Sequence, residues 1–239
     1  MKDAAAKAAL TEIMGYTDAF GLLELRQMIA DHYASYYDKI LEEIPTRRVV
    51  VTTGSSAGFL LAFTACFDPG DVVAIASCGY PCYRNILSAL GITLCHINVN
   101  NEFKLTAQEL GAEIQRRKST GLPSIRGLIL SSPGNPTGAM LSPNEMKELC
   151  QLTDNENIQF LSDEIYHGIT YGTKAASALQ FSKNAMIINS FSKYYSSELH
   201  CFVFGCRICS FPRTYPLKCS VGLAAWLDDR SRGLDRSHQ

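Results

Sequence analysis

Apolar residues between positions 22 and 36 fall at Leu22, Leu25, Met28, Ile29, Tyr33 and Tyr36, the spacing of one helix face. The pattern then changes. Short apolar runs of strand type alternate with longer helical stretches: "RRVVVTT" (47–53), "DVVAIAS" (71–77), "ITLCHINV" (92–99), "IRGLILSS" (125–132), "IQFLSDE" (158–164) and "AMIINS" (185–190). Between them the sequence predicts helices over 54–67, 80–90, 106–118 and 142–152. Local chemistry sets their ends. Asp68-Pro69-Gly70 and Gly91 stop two of them, Thr106 and Glu109 are spaced as a capping box, and Ser142 caps a helix with Pro143 in its first turn. Strands alternating with helices imply a mostly parallel sheet with helices on both faces, a three-layer α/β fold. The opening "MKDAAAKAALTEIMG" reads as a helix start rather than a secretory signal.

A formal net charge of -1 gives no global electrostatic reason to expect nucleic acid or an anionic membrane as partner. No stretch is apolar and long enough to span a bilayer, so a cytoplasmic location is expected. Cys66, Cys78, Cys82, Cys95 and Cys150 are scattered as free thiols of a reducing compartment would be. Cys201, Cys206, Cys209 and Cys219 crowd near the end, and the tail "DDRSRGLDRSHQ" (228–239) is polar enough to be disordered.

The candidate chemistry is positional. Each of five strands is followed by an unusual segment: "TTGSSA", "SCGYPCY", "SSPGNPTG", "SDEIYHG" and "NSFSK". In a parallel sheet these lie at one edge, where ligands of such folds bind. One crevice would therefore carry Gly54, Ser55, Ser56, Tyr80, Asn135, Asp163, Tyr166, Ser190 and Lys193. Gly54-Ser55-Ser56 opens a helix and suits a phosphate. Tyr80 offers a ring for stacking on a flat heterocycle. Asp163, a carboxylate at a buried strand end, needs a cationic partner to stay ionised. Tyr166 presents a hydroxyl, and Lys193 an amine in an apolar setting that favours nucleophilic chemistry. Pyridoxal 5'-phosphate uses every one of these groups.

The ordered set "YTDAFGLLELRQMIADHY", "TTGSSAG", "GYPCY", "NPTG", "SDEIY" and "SFSK" resembles the class I/II, fold type I pyridoxal-phosphate aminotransferases of the aspartate aminotransferase-like kind, from about Gly15 to Ser196. The resemblance implies that Lys193 bonds the cofactor aldehyde and shuttles the proton, and that Asp163 pairs with the pyridine nitrogen. Tyr166 and Asn135 would hold the phenolic oxygen, Tyr80 would stack on the ring, and Ser55, Ser56 and Ser190 would hold the phosphate. Tyr16 matches a tyrosine that reaches the partner subunit's phosphate, which implies a homodimer acting on an amino acid and a 2-oxo acid. The implied organisation is an N-terminal helical segment (1–40), a cofactor-binding large domain (41–196) and a divergent, partly disordered tail (197–239), with the small domain largely missing.

Other readings compete. Ser190-Phe191-Ser192-Lys193 is also an S-x-x-K pattern, but the S-D-N-like and K-T-G elements that a serine hydrolase of that kind carries downstream are absent. Asn135-Pro136-Thr137-Gly138 is a turn former in its own right, and Glu164 reads as structural. Gly54 to Gly58 is no dinucleotide fingerprint, which argues against a nicotinamide reductase. His32, His96 and His167 lack ligand spacing. His200, Cys201, Cys206, Cys209 and Cys219 contain one pair with zinc-ligand spacing in an otherwise irregular set, so no metal is expected. Beyond Ser196 the family pattern fails: Cys201 stands where an arginine would clamp the phosphate, and Arg207 falls fourteen residues past Lys193. The segment carrying the substrate-carboxylate arginine is unmatched. Three outcomes follow: an aminotransferase core, impaired here; a pyridoxal-phosphate lyase or synthase of the same fold; or a non-catalytic truncated isoform.

Overall fold

In the computed structural model the strand and helix alternation becomes a seven-stranded sheet with helices on both faces; residues 2–12, 15–37, 44–194 and 222–225 are described. The chain runs through α1 (Lys2–Thr11), α2 (Leu23–Tyr36), β1 (Val49–Thr52), α3 (Ser55–Cys66), β2 (Val72–Ala76), α4 (Pro81–Ala89) and β3 (Thr93–Ile97). It continues through α5 (Ala107–Thr120), β4 (Ile125–Ser131), α6 (Pro143–Asn155), β5 (Gln159–Asp163), β6 (Met186–Ser190), the single turn α7 (Phe191–Tyr194) and β7 (Gly222–Ala225). Both capping boxes form: the Thr106 side chain accepts from the Gln108 amide and Ser142 from the Glu145 amide, while Glu109 and Glu145 reach back to the cap amides. Each cap contributes on the order of 1 kcal/mol.

The strand order is β1-β7-β6-β5-β4-β2-β3. β2 to β6 pair in parallel, and β7 pairs antiparallel with both β1 and β6. β1 therefore runs the same way as β2 to β6, and all six present their carboxyl ends at one edge. The direction of strand addition reverses at β2, which has β3 on one side and β4 on the other. This is the switch point at which the connecting loops diverge and leave a crevice.

Strand residues divide by parity between two cores. Ala74, Leu128 and Ile187 face one cluster with Ile29 and Tyr33 of α2, Leu110 of α5 and Leu149 of α6. Val73, Ile129, Leu161 and Ile188 face the other with Phe59 and Phe63 of α3 and Leu87 of α4. Burial on both faces is why these strands read as continuous apolar runs. Packing is tight enough that Gly127 has no substitute: a Cβ there would stand 2.3 Å from the Phe67 ring.

Candidate active site

Five strand ends bring the expected residues to one edge. At the first, Gly54 is buried at φ +113°, in the left-handed half of backbone space that favours glycine, and it turns β1 directly into α3. Ser55 and Ser56 thus become the first residues of a twelve-residue helix whose leading amides and dipole favour an anion. Ser56 also receives the Cys82 thiol of α4 at 3.7 Å. At the fourth, Asp163 closes β5 fully buried. Its Oδ1 accepts from the Ile165 amide at 3.1 Å and its Oδ2 accepts from the Tyr83 hydroxyl. Burial pushes the carboxyl up to about 6, against the opposing pull of those two donors and of the Lys193 charge.

Lys193 stands half-buried on α7, its Nζ 5.7 Å from the centroid of the Tyr166 ring. Asp163 ends β5 and α7 follows the neighbouring β6, so both groups come from adjacent strand ends, near enough for the Lys193 charge to lower the Asp163 carboxyl. Asn135 Nδ2 donates to the Tyr166 hydroxyl at 3.1 Å, linking the loop after β4 to the loop after β5. Burial raises the Tyr166 phenol, and the Asp163 charge adds to the shift. Tyr80, partly exposed, stands edge-on to Tyr83 with ring centroids 5.8 Å apart. Ser190 is buried, its hydroxyl 2.7 Å from that of Ser192. A cleft at the switch point is lined by Tyr80, Tyr83, Ser131 and Asn135, and Tyr166 lines a second beside Asn135.

Tyr16 is different. Its side chain is fully exposed, on the segment before α2. The candidate zinc ligands, Cys201 and Arg207 lie outside the described residues.

Sequence reasoning missed Tyr83, the direct partner of Asp163. Tyr80 and Tyr83 open the same helix, and only the rotation of α4 on the sheet decides which hydroxyl points inward. It also left Glu164 and His167 as background, although both are buried and bonded.

A helix N-terminus, a lysine and a buried aspartate at the carboxyl edge of one α/β sheet are groups whose chemistry suits a phosphate, an electrophilic carbon and a ring cation. The family model for aminotransferase class I and II matches residues 1–198, and the chain belongs to that family. Valine–pyruvate aminotransferase of Mycobacterium tuberculosis is 46% identical over 200 residues, covering 82% of this chain and 49% of that protein. An aspartate aminotransferase of Sulfurisphaera tokodaii is 33% identical over 200 residues, covering 80% and 47% respectively. A solved aminotransferase structure from M. tuberculosis superposes with a TM-score of 0.74 at 45% identity, covering 82% of this chain and 49% of its own. The chain thus spans about half the length of the curated relatives it matches. Class I and II aminotransferases of this type use pyridoxal phosphate, and the residues present fit it. The Asp163 carboxyl, pushed up to about 6 by burial, gains from a ring cation, and a hydroxyl–amide pair and a helix N-terminus suit the ring oxygen and phosphate.

Proposed function

We propose that this chain is the cofactor-binding core of an aminotransferase that moves an amino group between an amino acid and a 2-oxo acid. When bound, pyridoxal phosphate supplies an aldehyde to take the amino group and a cationic ring to absorb the electron pair left at the substrate α-carbon. Asp163 would hold the ring nitrogen protonated. Tyr166 and Asn135 would hold the phenolic oxygen, Tyr80 would cover one ring face, and Gly54, Ser55, Ser56 and Ser190 would hold the phosphate. The Lys193 amine would anchor the cofactor and would be the group that takes up and returns a proton. The observation that carries this reading is the fully buried Asp163 carboxyl at the end of β5, beside the strand whose end leads into Lys193. The relatives' names favour transfer over elimination chemistry on the same fold.

A homodimer is part of the proposal. Leu22, Leu23 and Met28 near or on α2 and Leu60 and Leu61 on α3 are exposed apolar side chains, and the Tyr16 side chain is fully exposed. Such surface favours burial against a second copy. Among the described residues no helix is long and apolar enough to cross a membrane, and we place the protein in the cytosol.

Two measurements test this. Purified chain mixed with pyridoxal phosphate is expected to develop the visible absorbance of lysine-bound cofactor, and Lys193→Ala to abolish it; a wild-type spectrum equal to that of free cofactor rejects the reading. Sedimentation equilibrium is expected to give twice the 26.3 kDa chain mass, and a monomer at all concentrations removes the dimer.

A further inference from the structure

Behind the crevice, on the side of the sheet that α2 covers, lies a buried polar cluster that none of the roles above employs. Glu164 and His167 interleave with Asp163 and Tyr166 along one turn of chain. The latter two face the crevice; the former two face α2. Glu164 is fully buried, and its Oε1 accepts from Ser162 Oγ at 3.1 Å, Ser177 Oγ at 3.0 Å and the Ala178 amide at 3.0 Å. Its Oε2 lies 3.5 Å from both the Tyr33 hydroxyl and His167 Nδ1. His167 Nε2 is 2.8 Å from the Ser132 carbonyl oxygen, which only accepts, so that nitrogen carries the hydrogen. Nδ1 is left to the Tyr37 hydroxyl, 2.5 Å away. Asn189 Nδ2 donates to the Tyr33 hydroxyl at 2.7 Å while its Oδ1 accepts from the Ser190 amide at 2.7 Å.

These bonds end on three separate rim segments. Ser132 begins the loop that holds Asn135. Glu164 and His167 lie within the turn that holds Asp163 and Tyr166. Asn189 adjoins Ser190 and leads into the turn that holds Lys193. All three converge on Tyr33 and on Tyr37, the residue that caps α2. A buried carboxylate is costly, and packed apolar side chains fill a core at least as well. Burial also raises Glu164, with His167 opposing the shift. A cluster serving the core alone has no need to reach three loops that share one ligand.

We propose that Tyr33 and Tyr37, acting through Glu164, His167 and Asn189, are positioning residues that hold the three rim segments in register for the cofactor. The proposal rests on the pyridoxal-phosphate reading above. The titratable and charged groups near Glu164 and His167 are Tyr33 of α2, Tyr37 at its C-cap, Asp163 of β5 and Cys150 of α6, with Lys174 Nζ 5.6 Å from the centroid of the Tyr37 ring.

The test uses the full chain and measures three quantities: the dissociation constant for pyridoxal phosphate, the pH midpoint of the bound cofactor's visible absorbance, and Tm without cofactor. Tyr37→Phe keeps the ring and removes the hydroxyl from His167; it is expected to weaken binding about tenfold and to shift the midpoint. His167→Gln keeps an amide donor for the Ser132 carbonyl and is expected to lose less. If either variant fails to fold, Tyr33→Phe, which loses the Asn189 and Glu164 contacts, takes its place with the same expectation. Binding within about twofold of wild type and an unmoved midpoint, whatever happens to Tm, would mean the cluster serves the core only and overturns the proposal. A wild-type chain that takes up no cofactor is a separate result: it overturns the cofactor reading, and this proposal with it.

Discussion

Asp163→Asn is expected to weaken pyridoxal phosphate binding by about three orders of magnitude, because removing one member of a buried charge pair costs ~3–5 kcal/mol. The structure sharpens this into a pH dependence. The Asp163 carboxyl moves from its ordinary 3.8 to about 6 chiefly through burial. The folded chain therefore binds this proton more tightly than the unfolded chain does. Stability is highest below the unfolded value, falls as pH rises from about 4 to about 6, and is flat above. At pH 7 the cofactor-free protein carries a carboxylate penalty of up to ~3 kcal/mol. A ring cation against Asp163 offsets that penalty, so affinity is expected to rise with pH between 5 and 7. Only the part of the slope lost in Asp163→Asn belongs to the carboxyl. Isothermal titration at several pH values checks this; equal affinities and slopes in the two proteins would remove Asp163 from the site.

What the sequence made legible follows from where side chains are buried. β2, β4, β5 and β6 are covered on both faces, so their apolar runs stand out, and Thr106 and Ser142 announce their helices through capping chemistry alone. The rim residues were legible for a topological reason: once the strands are parallel, whatever follows each strand shares an edge. Tyr83 was hidden because inward rotation of α4 is a packing outcome. The α2 cluster was hidden because Tyr33 and Glu164 lie 131 positions apart in the chain. β7 was hidden most completely: Gly222-Leu223-Ala224-Ala225 has no β-branched or aromatic residue and only four positions. It is a strand because hydrogen-bonding partners stand on both sides of it, which no local pattern records. Four residues of the tail thus pair with β1 and β6.

That placement gives the second large effect. Leu223 pairs with Val51 of β1 on one side and Asn189 of β6 on the other. Leu223→Pro removes the amide and introduces a ring that a central strand does not accommodate, a loss of ~3 kcal/mol or more. The consequence reaches the site, because β7 is the spacer between β1, which delivers Gly54, Ser55 and Ser56, and β6, which delivers Ser190 and Lys193. Two strand spacings of about 4.8 Å set those rims roughly 10 Å apart, so β7 fixes the distance between the α3 N-terminus and the segment that carries Ser190 and Lys193. Gly222 pairs with both Thr52 and Ser190, so the spacing is fixed right at the rim. Leu223→Pro is therefore expected to lower Tm and, in whatever fraction remains folded, to weaken pyridoxal phosphate binding while leaving the pairing of β2, β3, β4 and β5 protected in hydrogen exchange. Unchanged Tm and unchanged affinity would show that β7 does not occupy the gap in solution. The cradle and the lysine would then have to be brought together by some other segment.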